Sequence, residues 1–216
     1  MENYTVENRG TITLGDKVMV SDPCYGLNTW CQGVVENVLP GEYECQVGFS
    51  DEDIFGMRVA DIEVIHTDYP EEHLWYEVEN FEVGVDSGQA GIFDYEYYKK
   101  YHTDRSERKH VNDEWYDKVF TLTYVREKNP NYEPFKGHYD DEDYFDKWEA
   151  YEKDWTRSEP YLSHFDGKTI DGLGLVSSSG YGDGGYTCWT AKNDEGQVIA
   201  IRVEFIGEYE EDEEDE

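Results

Sequence analysis

The chain has 216 residues and a formal net charge of −33, from 51 Asp and Glu against 18 Lys and Arg. A field of that sign repels DNA, RNA and anionic membranes and attracts basic proteins and cations, so direct nucleic-acid binding is the class it argues against most. No stretch approaches the roughly 18–20 apolar residues of a membrane helix and Met1 to Gly10 is polar, so a cytoplasmic protein without membrane contact is expected.

The segment from Glu208 to Glu216 is almost wholly acidic and reads as a disordered, solvating tail. The body cannot be read that way, because the chain is 16% aromatic, with 19 Tyr and 6 Trp. It has the apolar content to fold, and residues 1–207 are expected to form a single domain. The cysteines Cys24, Cys31, Cys45 and Cys188 show no C-x-x-C spacing. They read as reduced, mostly buried thiols and support neither a zinc knuckle nor a redox motif.

The first third reads as strands. Thr11 to Leu14 and Lys17 to Val20 are β-prone runs around Gly15-Asp16. After the Pro40-Gly41 turn, Tyr43, Cys45, Val47 and Phe49 alternate with polar neighbours, the period of a half-buried strand. Met57 to His66 continues the pattern. Glu82 to Val85 then runs into Val85-Asp86-Ser87-Gly88-Gln89-Ala90-Gly91, which looks too glycine-dense for a strand interior.

Between about 94 and 171 the texture changes to Tyr, Trp, Asp, Glu and Lys. Trp115, Val119 and Leu122 follow a cap at Asn112 or Asp113 and fall at helical spacing. Tyr144, Phe145, Trp148, Tyr151 and Trp155 mark one apolar face of a second helix. The last third returns to strands, with Gly174 to Ser178 leading into a second glycine-aspartate loop, Ser179 to Tyr186. Tyr186 to Lys192 and Gln197 to Ile206, joined by Asn193-Asp194-Glu195-Gly196, predict a hairpin. The fold class expected is α+β. An antiparallel β-core, a sandwich or a partly open barrel, is built from the N- and C-terminal thirds, with a mainly helical, aromatic and acidic insertion at about 94–171.

Four segments carry a family resemblance: Ser21-Asp22-Pro23-Cys24, Pro40-Gly41-Glu42-Tyr43, Val85-Asp86-Ser87-Gly88 and Ser179 through Tyr186. With these the chain resembles DUF4241, an uncharacterised family of bacteria and phages. The most specific of them is the S-G-x-G-D-G-x-Y block. The resemblance implies a β-rich fold and an origin in phage or accessory elements. It brings no established activity.

Asp22, Asp86 and Asp183 all lie in loops that follow β-runs. If they converge, three carboxylates with backbone carbonyls suit Ca²⁺ or Mg²⁺, and metal-assisted hydrolysis follows as one chemistry. The same residues also suit Asx-turns that bond their own amides. No other cofactor is called for, since neither a P-loop nor a strand-borne G-x-G-x-x-G is present. Ser177-Ser178-Ser179-Gly180 lacks the glycine of a nucleophile elbow, and no histidine is marked by a motif. No catalytic residue is assigned.

The insertion offers the other candidate surface. Asp140, Asp141, Glu142, Asp143, Tyr144, Asp146, Glu149 and Glu152 give one predicted helix a dense carboxylate face with an aromatic among it. Such an array imitates the charge row of B-DNA, about one negative charge per 1.7 Å of axis. The leading expectation is therefore an acidic binding protein, an inhibitor or nucleic-acid-mimicking decoy of a basic partner of the anti-restriction or anti-CRISPR kind. The alternative is a divalent-cation-binding protein or metal-dependent hydrolase.

Overall fold

A computed structural model describes residues 4–102 and 166–207, together with Trp115, Asp143, Asp146, Lys147 and Ala150. The chain divides into two compact units, 1–112 with 166–216, and 113–165. In the second unit Trp115 is buried and helical, and Lys147 donates its amide to the Asp143 carbonyl at 3.0 Å, one helical turn. Most of the expected helical insertion, and the acidic tail, lie outside the described residues. Within 94–171 the described run holds one short helix and a three-residue strand, so it does not support a mainly helical insertion.

Among the described residues the first unit holds eleven strands and one α-helix. In chain order these are β1 (Tyr4–Leu14), β2 (Lys17–Ser21), β3 (Gly33–Glu36), β4 (Gly41–Asp51), β5 (Met57–His66), β6 (Tyr76–Val85) and β7 (Gln89–Asp94). Then come α1 (Tyr95–Tyr101), β8 (Lys168–Ile170), β9 (Gly174–Ser178), β10 (Gly184–Lys192) and β11 (Val198–Glu204). They form two antiparallel sheets, one ordered β1-β4-β5-β11-β10-β6 and the other β3-β2-β7-β9-β8. The two sheets share one core, as the expected antiparallel β-core requires, and neither closes on itself into a barrel.

The period-two pattern explains which residues meet between the sheets. Tyr43, Cys45 and Val47 of β4, Ile62 and Val64 of β5, and Ile201 and Val203 of β11 project inward. Val18 and Val20 of β2, Ala90 and Ile92 of β7 and Leu175 of β9 meet them from the other sheet. Cys31, Cys45 and Cys188 are buried, and burial pushes Cys45 and Cys188 up to about 12, so those two thiols stay protonated and apolar. Asp94 starts α1, accepting the Tyr97 amide at 2.9 Å, while its other oxygen takes the Gly15 amide at 3.0 Å.

The expectation that the glycines of 85–91 exclude a strand is corrected here. Gly91 lies inside β7, paired with Ser21 on one side and Val176 on the other. Its lack of a side chain serves packing, because a Cβ there would strike the Phe93 ring and stand 2.7 Å from the Leu175 carbonyl oxygen. The Gly91→Ala variant is expected to lose about 1–3 kcal/mol of stability through overpacking, read as a lower midpoint in urea unfolding.

Candidate functional site

Both glycine-aspartate loops are crossovers between the sheets, and they run side by side. Asp86-Ser87-Gly88 carries the chain from β6 to β7, and Ser179 to Asp183 carries it from β9 to β10. The Ser179 amide donates to the Gly88 carbonyl at 3.1 Å, which stitches one crossover to the other. Gly88, Gly180 and Gly182 have φ of 70°, 59° and 110°, where a side chain is strained. The second loop is also bonded to itself. Ser179 Oγ donates to the Gly182 carbonyl at 2.8 Å, and the Tyr186 hydroxyl lies 2.9 and 2.6 Å from the carbonyls of Ser179 and Gly182.

Asp22, at the end of β2, is buried and anchors this corner. Its Oδ2 accepts the amides of Asp86 and Ser87 at 2.9 and 2.8 Å. Its Oδ1 accepts the Cys24 amide at 2.8 Å and the Ser87 hydroxyl at 2.9 Å. Burial pushes the carboxyl above its ordinary range, and these four donors oppose the rise. The Cys24 thiol is also driven up, first by burial and then by the Asp22 charge, so it is not a thiolate nucleophile at neutral pH.

The corner is closed by aromatic groups. The Tyr98 hydroxyl lies 2.6 Å from the Tyr25 carbonyl, and His102 stacks on Tyr98 with ring centroids 3.7 Å apart. The two nitrogens of His102 face the carbonyls of Tyr98 and Pro23, and burial pulls the imidazole below its ordinary value. Asp86 is exposed and accepts the Tyr25 hydroxyl. Asp183, also exposed, and Asp86 each stand one residue beyond the paired Val85 and Gly184.

The structure thus brings the segments of Asp22, Asp86 and Asp183 to one corner. What surrounds Asp22 is a set of N–H and O–H donors, the surroundings of a structural carboxylate. Among the described residues no three His, Cys, Asp or Glu side chains gather in a way that would hold a metal ion. Of the acidic set in the insertion, Asp143 and Asp146 are described and exposed. Asp143 pairs with Lys147 at 2.8 Å, and that hydrogen bond holds its carboxyl below the ordinary range. Asp140, Asp141, Glu142, Tyr144, Glu149 and Glu152 lie outside the described residues.

Two clusters escaped the sequence reading. On β5, Asp61 and Glu63 are buried on the face opposite the core residues Ile62 and Val64. Tyr4 donates to Asp61 at 2.7 Å, Arg202 bonds Glu63 and stacks over Trp75 at 4.5 Å, and Glu204 takes the Trp189 indole at 3.2 Å. Burial raises the carboxyls of both Asp61 and Glu63. The second cluster is a trough of about 1030 Å³ between the terminal strands β3 and β6. Val34 and Tyr76 are exposed along it, with Glu36, Glu77 and Glu79 on its rim. Beside it Trp30, 68% exposed, lies across Gly84 in a smaller cleft of about 500 Å³ that also holds Phe81 and Glu82. The one sequence signal was the alternation Tyr76-Glu77-Val78-Glu79.

The four segments that carried the resemblance now have places. Three of them, at Asp22, Asp86 and Ser179 to Tyr186, meet in the corner, while Pro40-Gly41 opens β4 with Gly41 packed under His66. A family model described as a protein of unknown function, DUF4241, matches residues 14–203. The chain belongs to this family. No curated protein and no solved structure matches it. In this DUF4241 member no described helix is long and apolar enough to cross a membrane.

Replacing the Asp22 carboxylate by an amide turns an NH₂ toward buried donors. Asp22→Asn is expected to cost about 2–3 kcal/mol and Ser87→Ala about 1.5 kcal/mol, measured by urea unfolding. The Asp61 cluster gives a pH signature. A carboxyl raised in the folded state holds its proton more tightly there than in the unfolded chain. Its contribution to stability is complete below the unfolded value, near 3.8 for Asp, and is lost as pH rises through the raised one. Asp61→Asn keeps an acceptor for Tyr4 and removes this loss. The variant should therefore gain on the parent as pH climbs from the ordinary carboxylate range toward neutrality, and an unchanged difference would refute the assignment.

Proposed function

We propose that this protein is a non-catalytic, acidic binding protein that engages a basic protein partner. In the specific form of the proposal it is an inhibitor or nucleic-acid-mimicking decoy of a nucleic-acid-binding enzyme, such as a phage-defence nuclease. The observation that carries the reading is the set of exposed Trp30, Val34 and Tyr76 bordered by Glu36, Glu77, Glu79 and Glu82. Aromatic area supplies contact at low entropic cost, and the surrounding carboxylates select a partner of opposite sign. The charge of −33 supports the same choice by steering cationic partners. A second, separate acidic surface is proposed on the insertion at about 94–171, made by Asp140, Asp141, Glu142, Asp143, Tyr144, Asp146, Glu149 and Glu152.

The test is DNA cleavage by restriction and Cas nucleases with the protein added at low and high salt, beside its direct binding to each enzyme. Inhibition that salt, excess DNA and an Asp143→Lys/Asp146→Lys variant each relieve is expected. Absence of both binding and inhibition at low salt would defeat the proposal.

A second reading rests on the adjacency of Asp86 and Asp183, whose exposed carboxylates stand at the same end of the β6–β10 ladder. They would share a Ca²⁺ or Mg²⁺ with loop carbonyls, with Asp22 holding the loop, as a cation site or a metal-dependent hydrolase centre. Thermal unfolding with EDTA, Mg²⁺ and Ca²⁺ at fixed ionic strength decides it. A shift at micromolar cation that Asp183→Ala removes supports the site, and no shift beyond that of monovalent salt rejects it.

A further inference from the structure

The trough between β3 and β6 has walls of a particular kind. β3 ends one sheet and β6 ends the other, and among the described residues β3 pairs only with β2 and β6 only with β10. Two strand edges with unspent backbone groups therefore border the trough, Val34–Glu36 on one side and 76–79 on the other. Edges of this kind are templates for another strand, and folded proteins ordinarily protect them.

The protection here is uneven. Between Glu82 and Glu77 the register slips, since β6 advances five residues while β10 advances from Thr187 to Trp189. The extra chain sets the Phe81 ring on Gly33, where a Cβ would collide with it, and the Trp30 ring covers Gly84 in the same way. That half of β6 is occupied. The other half, Tyr76 to Glu79, carries Tyr76 at 57% exposure with Glu77 and Glu79 exposed beside it. Four residues of extended chain span about 13 Å, enough for a short guest strand.

Charge selects the guest. Glu77 and Glu79 face it from β6 and Glu36 from β3, where Lys17 partly balances Glu36 at 2.7 Å; Lys192 lies at one end. A second copy of this chain would bring its own carboxylates against these. A cationic segment would meet opposite charge.

We infer that the trough takes an extended, lysine- or arginine-bearing segment of a protein partner, which pairs with the free edges of β3 and β6, seats apolar side chains beside Val34 and Tyr76 and sets its cations against Glu77 and Glu79. The inference rests on the binding reading above and names where and in what conformation the partner is held. Strand addition takes affinity from main-chain hydrogen bonds and specificity from alternate side chains, which matches an apolar floor with an acidic rim.

The probe is a short fluorescein-labelled peptide alternating lysine with valine, beside a twin of the same sequence with alternate backbone nitrogens methylated. Binding to the full chain is followed by anisotropy at physiological salt, and amide exchange is read over residues 33–36 and 76–79. The expected result is about tenfold weaker binding of the methylated twin, a similar loss in a Glu77→Lys/Glu79→Lys variant, and slowed exchange at both edges. Equal binding of the two peptides with unchanged exchange would overturn the strand inference while leaving an acidic binding protein. Failure of both peptides and of protamine to bind at low salt would remove that reading as well. A dimer in sedimentation that the peptide does not dissociate would assign the trough to a second copy and overturn the inference.

Discussion

One buried carboxylate holds the corner on which the rest of the two-sheet core depends. Asp22 gathers amides from its own strand end and from a crossover 64 residues later, so the two sheets are tied where the chain passes between them. Hydrogen bonds to a charged acceptor contribute about 1.5–3 kcal/mol each, and here they also offset the cost of burying that charge. The neighbouring crossover, from β9 to β10, is fixed to the first through Ser179 and Gly88. Elements far apart in sequence thereby share a single anchoring point, which gives the fold its register.

The acidic residues then divide into two populations. Asp22, Asp61 and Glu63 are buried and matched by amides, hydroxyls or Arg202, and they organise the interior. Such groups are consumed by the fold. Most of the other described carboxylates are exposed, and Glu36, Glu77, Glu79 and Glu82 border the exposed aromatics at β3 and β6. The buried carboxyl of the corner, Asp22, has both oxygens already engaged by four donors.

Much of the fold was legible in the sequence. Met57–His66 and Gly174–Ser178 appear as strands with the expected bounds, and Asn193 to Gly196 makes the expected hairpin turn, with the Gln197 amide bonded to Asn193 Oδ1 at 2.8 Å. Period-two alternation with turn residues at each end is a local signal, and it survives folding. β3 was missed because four residues carry too little periodicity, and β7 because its glycines read as a loop until Phe93 is placed over Gly91. The candidate site was legible only as a set of loops. Nothing local says that Asp22 will reach the amides of Asp86 and Ser87, or that β3 and β6 will both be left at sheet ends. Those are consequences of strand order, which depends on pairings across most of the chain.

That strand order bears on how the polypeptide is made. β11 lies between β5 and β10, and the β10–β11 hairpin completes the middle of its sheet, between β5 and β6. On the ribosome β5 and β6 emerge long before the hairpin that joins them, so the nascent chain waits with two half-sheets and open inner edges. Such non-local closure is slow and exposes β-structure to misassociation. Mutual repulsion among chains this acidic would keep neighbouring nascent copies apart through that interval. The acidity would then act before the fold exists, as a safeguard of its synthesis.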